Sequence, residues 1–160
     1  MNRGDIVGRY PPSQEYILHI LHALQDSNTR NYLSGEDLKL AAEYVHIPYS
    51  SVYGIATYYT MFSLSPRGRH LIRVCHSPVC EMLGSASLVP ALQDMLGIGV
   101  GETTSDGLFT LEHTECLGQC DKSPVMLVDE KLYTRVTTKK CGGIIEQLRR
   151  CSMTGDVGEG

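Results

Sequence analysis

Six cysteines punctuate this chain of 160 residues, and four of them fall into two short pairs. RVCHSPVCEML carries Cys75-x4-Cys80, and ECLGQCDKSPV carries Cys116-x3-Cys120, with 35 residues between the pairs. Each pair follows a strand-like run and occupies the loop after it, so two neighbouring strand ends would bring four sulfurs to one edge of a sheet. Disulfide exchange requires Cys-x-x-Cys, which places a resolving thiol within reach at a helix start. No such pair occurs in the chain. A structural zinc ion takes four thiolates with gaps of two to four residues. A [2Fe–2S] cluster also takes four, two on each iron. Both loops are longer than the Cys-x2-Cys of a tight zinc knuckle, as a larger object would require. Gly84 and Gly118 let the backbone turn close by and aim N–H groups at sulfur. Spacing alone favours the cluster and leaves zinc open.

Cys141 and Cys151 stand ten positions apart in a helical region, on different faces, and are read as packing or surface residues. His76, beside Cys75, is read as a neighbour of the sulfurs or as solvent-facing, because a Rieske-type site needs two histidines on one iron. Tyr53, Tyr58 and Tyr59, with Met82 and Met126, are assigned to core or interface packing. GIGVGE, Gly97 to Glu102, has Gly-x-Gly-x-Gly spacing and follows a helix. A dinucleotide loop has Gly-x-Gly-x-x-Gly and the reverse order of elements, so a connecting loop is expected. Walker A and His-Glu-x-x-His sequences are absent.

The elements that must position these loops change period at Arg67. Before it, three helices are expected. Ile17, Leu18, Ile20, Leu21 and Leu24 follow Pro11-Pro12-Ser13 at helical spacing. Ser34 and Asp37 form a capping-box pattern ahead of Leu38, Ala41, Ala42 and Val45. A third stripe runs Val52, Ile55, Ala56, Tyr59, Phe62 and stops before Pro66. Beyond Arg67 the expected order is β-α-β-β-β-α. It comprises a strand over His70–Cys75, a helix over Ser85–Leu96 and a strand over Gly107–Glu115. A hairpin follows, of Val125–Asp129 and Leu132–Val136 about a Glu130-Lys131 turn, and then a helix capped by Thr137 or Thr138 and reaching Arg150. The implied division is a helical bundle over 1–66, an α/β domain over 67–150 and a flexible tail over 151–160.

Apolar content of 42% and charged content of 20% suit a globular chain. The net charge of −4 argues against nucleic acid or an anionic membrane as partner. A helix-turn-helix regulator is disfavoured further. Residues 1–66 hold Arg3, Arg9, Arg30 and Lys39 against Asp5, Glu15, Asp26, Glu36, Asp37 and Glu43, so the electrostatic footprint for DNA is missing. No apolar run reaches the ~18–20 residues needed to span a bilayer. MNRGDIVGRYPPSQEY has neither an h-region nor transit-peptide character, so a cytoplasmic protein without membrane insertion is expected. In that reducing compartment thiols or metal ligands are favoured over disulfides.

VCHSPVC and ECLGQCDKSPVMLV, with GETTSDGLFTLEHTE between them and VYGIATYYTMF before them, resemble the thioredoxin-like [2Fe–2S] ferredoxin family. This is the 24-kDa-type (E-type) subunit of NADH dehydrogenases, with relatives in NAD-linked, often electron-bifurcating, hydrogenases and formate dehydrogenases. The resemblance spans about residues 10 to 150. It implies an α/β protein with an N-terminal three-helix bundle followed by a thioredoxin-like domain. It also implies one [2Fe–2S] cluster held by Cys75, Cys80, Cys116 and Cys120, and a cis peptide bond before Pro124. His-Ser-Pro-Val between the first two cysteines departs from the small or Thr-rich loop of many relatives.

The implied function is that of a single-cluster electron-transfer subunit without catalytic residues of its own, belonging to a multisubunit NAD(H)-linked flavoprotein oxidoreductase. FMN and NAD(H) are expected on a partner subunit, docked partly through the N-terminal helices. A bifurcating hydrogenase or related complex is the first reading. The peripheral arm of respiratory complex I, an NADH:quinone oxidoreductase, is the second. A zinc-stapled interaction module is the rival of another class.

Overall fold

A computed structural model describes residues 2–154, with side chains through Ser152. The chain divides into two compact units, residues 1–67 and 68–160.

The first unit is helical: α1 (Arg3–Val7), α2 (Ile17–Asp26), α3 (Gly35–Val45) and α4 (Tyr49–Tyr58), with a 3-10 turn over Gln14–Tyr16 leading into α2. The three expected stripes are α2 to α4. The fourth helix, α1, has only five residues, too few to show a period, yet its Ile6 and Val7 are buried in the same core as Ile20, Leu21, Leu24, Leu38 and Val52. Each such side chain contributes roughly 1.5–3 kcal/mol by leaving water. The capping box is present at α3: Ser34 and Asp37 each receive the other's backbone N–H. His46, at φ 57°, ends the helix in the left-handed region.

The third stripe overruns its helix. Tyr59 is extended (φ −87°, ψ 116°), so α4 ends at Tyr58 rather than reaching Phe62. Aromatic Tyr58 and Tyr59 and β-branched Thr60 are weak helix formers, and the turn they make has better uses. It sends Phe62 into the core, where its ring lies 4.8 Å from that of His22. Buried Gln25 fastens the same turn, donating to Met61 O at 3.0 Å and accepting from Ser63 N at 2.9 Å. Tyr53, Tyr58 and Tyr59 are exposed rather than core residues.

The second unit holds β1 (His70–Cys75), the single turn α5 (Pro78–Cys80), a π-helical turn (Glu81–Ser85), α6 (Ala86–Leu96) and β2 (Phe109–Thr114). A 3-10 turn (Cys120–Lys122), β3 (Met126–Val128), β4 (Lys131–Tyr133) and α7 (Thr138–Thr154) complete it. The sheet order is β2-β1-β3-β4, with β1 parallel to β2 and both other pairings antiparallel. Leu88, Leu92 and Leu96 of α6, with Cys141, Ile144 and Ile145 of α7, pack with Ile72, Val74, Phe109, Leu111, Met126 and Val128 of the strands.

The hairpin strands are shorter than expected, and the turn is Asp129-Glu130 instead of Glu130-Lys131. Asp129 takes a left-handed conformation (φ 53°), which Asp tolerates. Its carboxylate accepts from Leu71 N and meets the His70 ring, both at 2.8 Å, pinning the hairpin to β1. Arg135 (φ 46°) leaves extended geometry, so β4 stops short of Val136. Thr137 Oγ1 accepts from Lys140 N at the start of α7. That helix runs four residues past Arg150, so the expected tail over 151–160 begins inside it, and its part from 155 on lies outside the described residues. Among the described residues, no helix is long and apolar enough to cross a membrane.

Candidate metal centre

Cys75 ends β1, the strand paired on both sides, and its N–H donates to Val125 O at 3.1 Å. One residue on, His76 N donates to Thr114 O at 3.0 Å, holding the loop against the end of β2. Pro78 opens the turn of α5, where its missing N–H costs nothing. That turn carries Cys80 inward to 1% exposure. The chain then bends through the π-helical turn at Gly84 (φ 117°), where an added Cβ would meet the Pro124 ring at 3.4 Å. From the other side, β2 delivers Cys116 and Leu117, Gly118 turns at φ 73°, and Cys120 starts its 3-10 turn. The Ser123–Pro124 bond that follows is cis, and Val125 returns to the sheet.

All four thiols of the two pairs lie in one region at the ends of β1 and β2, in two tiers. Cys75 and Cys80 form a small buried cluster with Val125, against which Leu117 packs. Cys116 is exposed and Cys120 half-buried, with their sulfurs 3.5 Å apart. Among the described residues, no three His, Cys, Asp or Glu side chains already surround a point as they would a single ion. Cys141 is fully buried in α7 and Cys151 is exposed there, both outside the group.

The electrostatics divide the tiers. Burial pushes the Cys75 thiol up, yet its pKa falls below the ordinary thiol value. The Ser77 hydroxyl and N–H, the Cys80 thiol and the Leu117 N–H together outweigh burial by favouring the thiolate. Cys120 is pushed up, first by its hydrogen bond and charge interaction with Cys116, then by burial and by repulsion from Cys80 and Cys75. Four sulfurs gathered at two strand ends, one of them with its pKa drawn down despite burial, make a donor set for a thiophilic cation. This donor set suits a [2Fe–2S] cluster, and the same four thiolates would satisfy zinc.

Some neighbours are invisible in the sequence. Ser77 Oγ lies 3.5 Å from Cys75 Sγ, and Ser123 Oγ lies 3.2 Å from Cys80 Sγ. Their only sequence signal is position: two residues after Cys75 and three after Cys120. His76 is exposed, pairs with Glu81 at 2.9 Å, and its ring lies 4.3 Å from that of His113 at a 43° tilt. Burial and the nearby His76 charge push the His113 pKa down against a weaker upward pull from Glu81. Gly99 N donates to the Glu102 carboxylate, closing GIGVGE into a connecting loop after α6. Met126 is core, while Met82 is 87% exposed.

Four cysteines thus meet at two strand ends of a four-stranded α/β layer, a donor set open to a cluster or to zinc. Residues 4–149 match the sequence profile of the thioredoxin-like [2Fe-2S] ferredoxin family, and the chain belongs to that family. It is 33% identical over 145 residues to the E-type subunit of the Mycobacterium tuberculosis NADH-quinone oxidoreductase, covering 91% of this chain and 57% of the relative. The chain thus spans little more than half the length of that relative. The E-type subunit of the Pseudomonas aeruginosa NADH-quinone oxidoreductase is 40% identical over 117 residues, covering 73% of this chain and 70% of its own length. Among solved structures, an NAD+-reducing [NiFe]-hydrogenase in its H2-reduced state superposes with a TM-score of 0.77 at 22% identity. The match covers 87% of this chain and 23% of that one, and shows a shared fold.

Proposed function

We propose that this chain is a single-cluster electron-transfer subunit of a multisubunit NAD(H)-linked flavoprotein oxidoreductase, with Cys75, Cys80, Cys116 and Cys120 as the four ligands. When bound, a [2Fe–2S] cluster supplies one-electron storage without bond chemistry. The chain's own residues do the rest. Leu117 and Val125 keep water from the inner sulfurs, and the Ser77 and Leu117 N–H groups offset the negative charge there. The observation that carries the reading is the meeting of the two cysteine pairs at the strand ends, with Cys75 and Cys80 buried together beside Val125 and the Cys116 and Cys120 sulfurs 3.5 Å apart.

FMN and NAD(H) belong on a partner subunit in this reading, because a flavin converts two-electron hydride chemistry into single electrons. The first unit offers the docking face. From Tyr44 to Pro66 the sequence has no Asp, Glu, Lys or Arg, and Tyr49, Tyr53 and Tyr58 are exposed along it. Exposed aromatics without charge are the composition of an interface centre. A hydrogenase of the NAD-linked kind is the first assembly in this reading. A second, the peripheral arm of an NADH:quinone oxidoreductase, is favoured by the 40% identity to the Pseudomonas aeruginosa relative.

Iron, acid-labile sulfide and zinc per chain, measured on anaerobically purified protein with a visible spectrum, test the ligand assignment. About two irons and two sulfides that bleach with dithionite support it. One colourless zinc without sulfide, unchanged by iron-replete expression, replaces it with the interaction module. Isolation through a tag on this chain from its native cells tests the assembly. Co-isolated flavin that NADH reduces supports the subunit role, and a solitary chain overturns it.

A further inference from the structure

Two hydroxyl groups touch the inner sulfurs, and their hydrogens have competing destinations. Ser77 Oγ is 3.5 Å from Cys75 Sγ, and Ser123 Oγ is 3.2 Å from Cys80 Sγ. Ser123 also donates to Cys120 O at 2.8 Å. A serine has one hydrogen to give and lone pairs to receive. With Cys80 protonated, a chain satisfies every group: the thiol donates to Ser123, and Ser123 donates to the Cys120 carbonyl. A metal-bound sulfur has no hydrogen. The Ser123 hydrogen then has two acceptors, a neutral carbonyl and an anionic sulfur, and bonds to ionised acceptors are roughly twice as strong. Added negative charge shifts that competition further towards sulfur. At Ser77 the Cys75 thiol donates to the hydroxyl oxygen at 3.5 Å; a metal-bound Cys75 has no hydrogen to give, and the one hydrogen left to that contact is the hydroxyl's own.

We propose that Ser77 and Ser123 set the reduction potential of the site, their hydroxyls stabilising its reduced form, and that Ser123 turns its hydrogen from the Cys120 carbonyl to the Cys80 sulfur when an electron arrives. The inference rests on the cluster assignment above. The electron comes from a one-electron donor, dithionite in the test and a reduced flavin in the proposed assembly. No covalent bond forms or breaks, and the proton stays on the Ser123 oxygen. Donors to sulfur favour the more negative state, so their removal moves the midpoint in the negative direction. Both serines are positioning residues that act through the ligands.

The test uses the full chain with its cluster, first assayed for iron and sulfide. Absence of both in the wild-type protein removes the underlying assignment, and is distinguished at that step from failure of the present inference. Midpoints are then measured for Ser77→Ala, Ser123→Ala and the corresponding Thr variants by redox titration followed by EPR. Each Ala variant is expected to lower the reduced-to-oxidised ratio at the wild-type midpoint by about fivefold, the worth of one hydrogen bond. Ala keeps the backbone N–H of each position, so the change isolates the hydroxyl, and Thr should restore the midpoint. Pulsed EPR of the reduced protein in D2O should show exchangeable deuteron couplings that the Ala variants lack. Unchanged midpoints in both Ala variants at full cluster content overturn the proposal. Should those variants fail to hold a cluster, the Thr midpoints and the wild-type deuteron couplings decide: shifted Thr midpoints, or no hydroxyl-range coupling, overturn it equally.

Discussion

Gly68 lies so close to the backbone of Phe109 that a Cβ on it would stand 2.6 Å from the Phe109 carbonyl carbon and 2.9 Å from the Thr110 nitrogen. The contact is made by backbone, which cannot swing aside, and the Gly68 N–H donates to Thr110 Oγ1 at 2.6 Å. Gly68→Ala must therefore push the entry to β1 away from β2. Overpacking of this kind costs about 1–3 kcal/mol. Urea unfolding should show a lower midpoint at unchanged slope. A wild-type midpoint would mean that the strands separate there without loss.

Helix α3 depends on its first turn. Asp37, nearly buried, accepts from Ser34 N at 2.8 Å and forms an ion pair with Arg3 at 2.9 Å. Ser34→Ala removes the hydroxyl half of the capping box and should cost about 1 kcal/mol. Asp37→Ala should cost more, because it also removes the buried one of Arg3's two carboxylate partners and leaves only exposed Glu36. Thermal unfolding of the two variants checks the order. Equal midpoints would show that the Arg3 pair contributes nothing.

The cysteines should sort by tier. Any of Cys75→Ala, Cys80→Ala, Cys116→Ala and Cys120→Ala is expected to abolish iron and sulfide content, while Cys141→Ala and Cys151→Ala retain both. Stability of the metal-free chain should separate the tiers. Cys75→Ala empties a buried place and costs about 1 kcal/mol, whereas Cys116→Ala, at an exposed place, leaves the unfolding midpoint unchanged. Burial also pushes the Cys141 thiol up, so it should resist alkylation at neutral pH while exposed Cys151 reacts. Peptide mass spectrometry after brief iodoacetamide treatment reads both, and prompt modification of Cys141 would contradict its burial.

Asp106 supplies a pH dependence. Its carboxyl is held below the usual Asp range by the Thr104 hydroxyl first, and then by the Leu108 N–H at 2.9 Å. A depressed native pKa means that the unfolded chain binds its proton first as acid is added. The stabilisation is therefore complete above the unfolded value of about 3.9. It is lost as pH falls from there through the lower native value. Asp106→Asn should flatten stability against pH below about 4 and leave the neutral region unaltered in slope. Parallel curves for the two proteins would remove Asp106 from the acid response.

Local chemistry made much of this legible. Ser34 and Asp37 announced the start of α3, His70 to Cys75 announced β1 to the residue, and the cysteine pairs marked two loops that meet at the strand ends, because each signal is carried by neighbours in sequence. The failures lay where distant groups decide. α1 is too short for a period and is defined by Ile6 and Val7 reaching the core made by the other helices. The end of α4 is set by Gln25, far along the chain from the Ser63 N–H it receives. The hairpin turn is displaced by one residue because Asp129 has the Leu71 N–H to hold. Ser77 and Ser123 look like ordinary loop serines until folding brings their oxygens to sulfur.

Cys75 sits at the end of the strand with a neighbour on either side, and this bears on speed as well as equilibrium. A carrier that gains and loses charge is slowed by every atom that must rearrange in response, so fixed dipoles that already face the charge lower the barrier. Of the inner sulfurs, Cys75 hangs from the end of β1, which is paired on both sides, and Cys80 from the turn of α5, with Val125 and Leu117 packed against them. The outer pair rides on a turn through Gly118. Under the ligand assignment proposed above, the buried and exposed pairs should then differ in compliance, with most of the nuclear motion accompanying each electron on the exposed Cys116–Cys120 side.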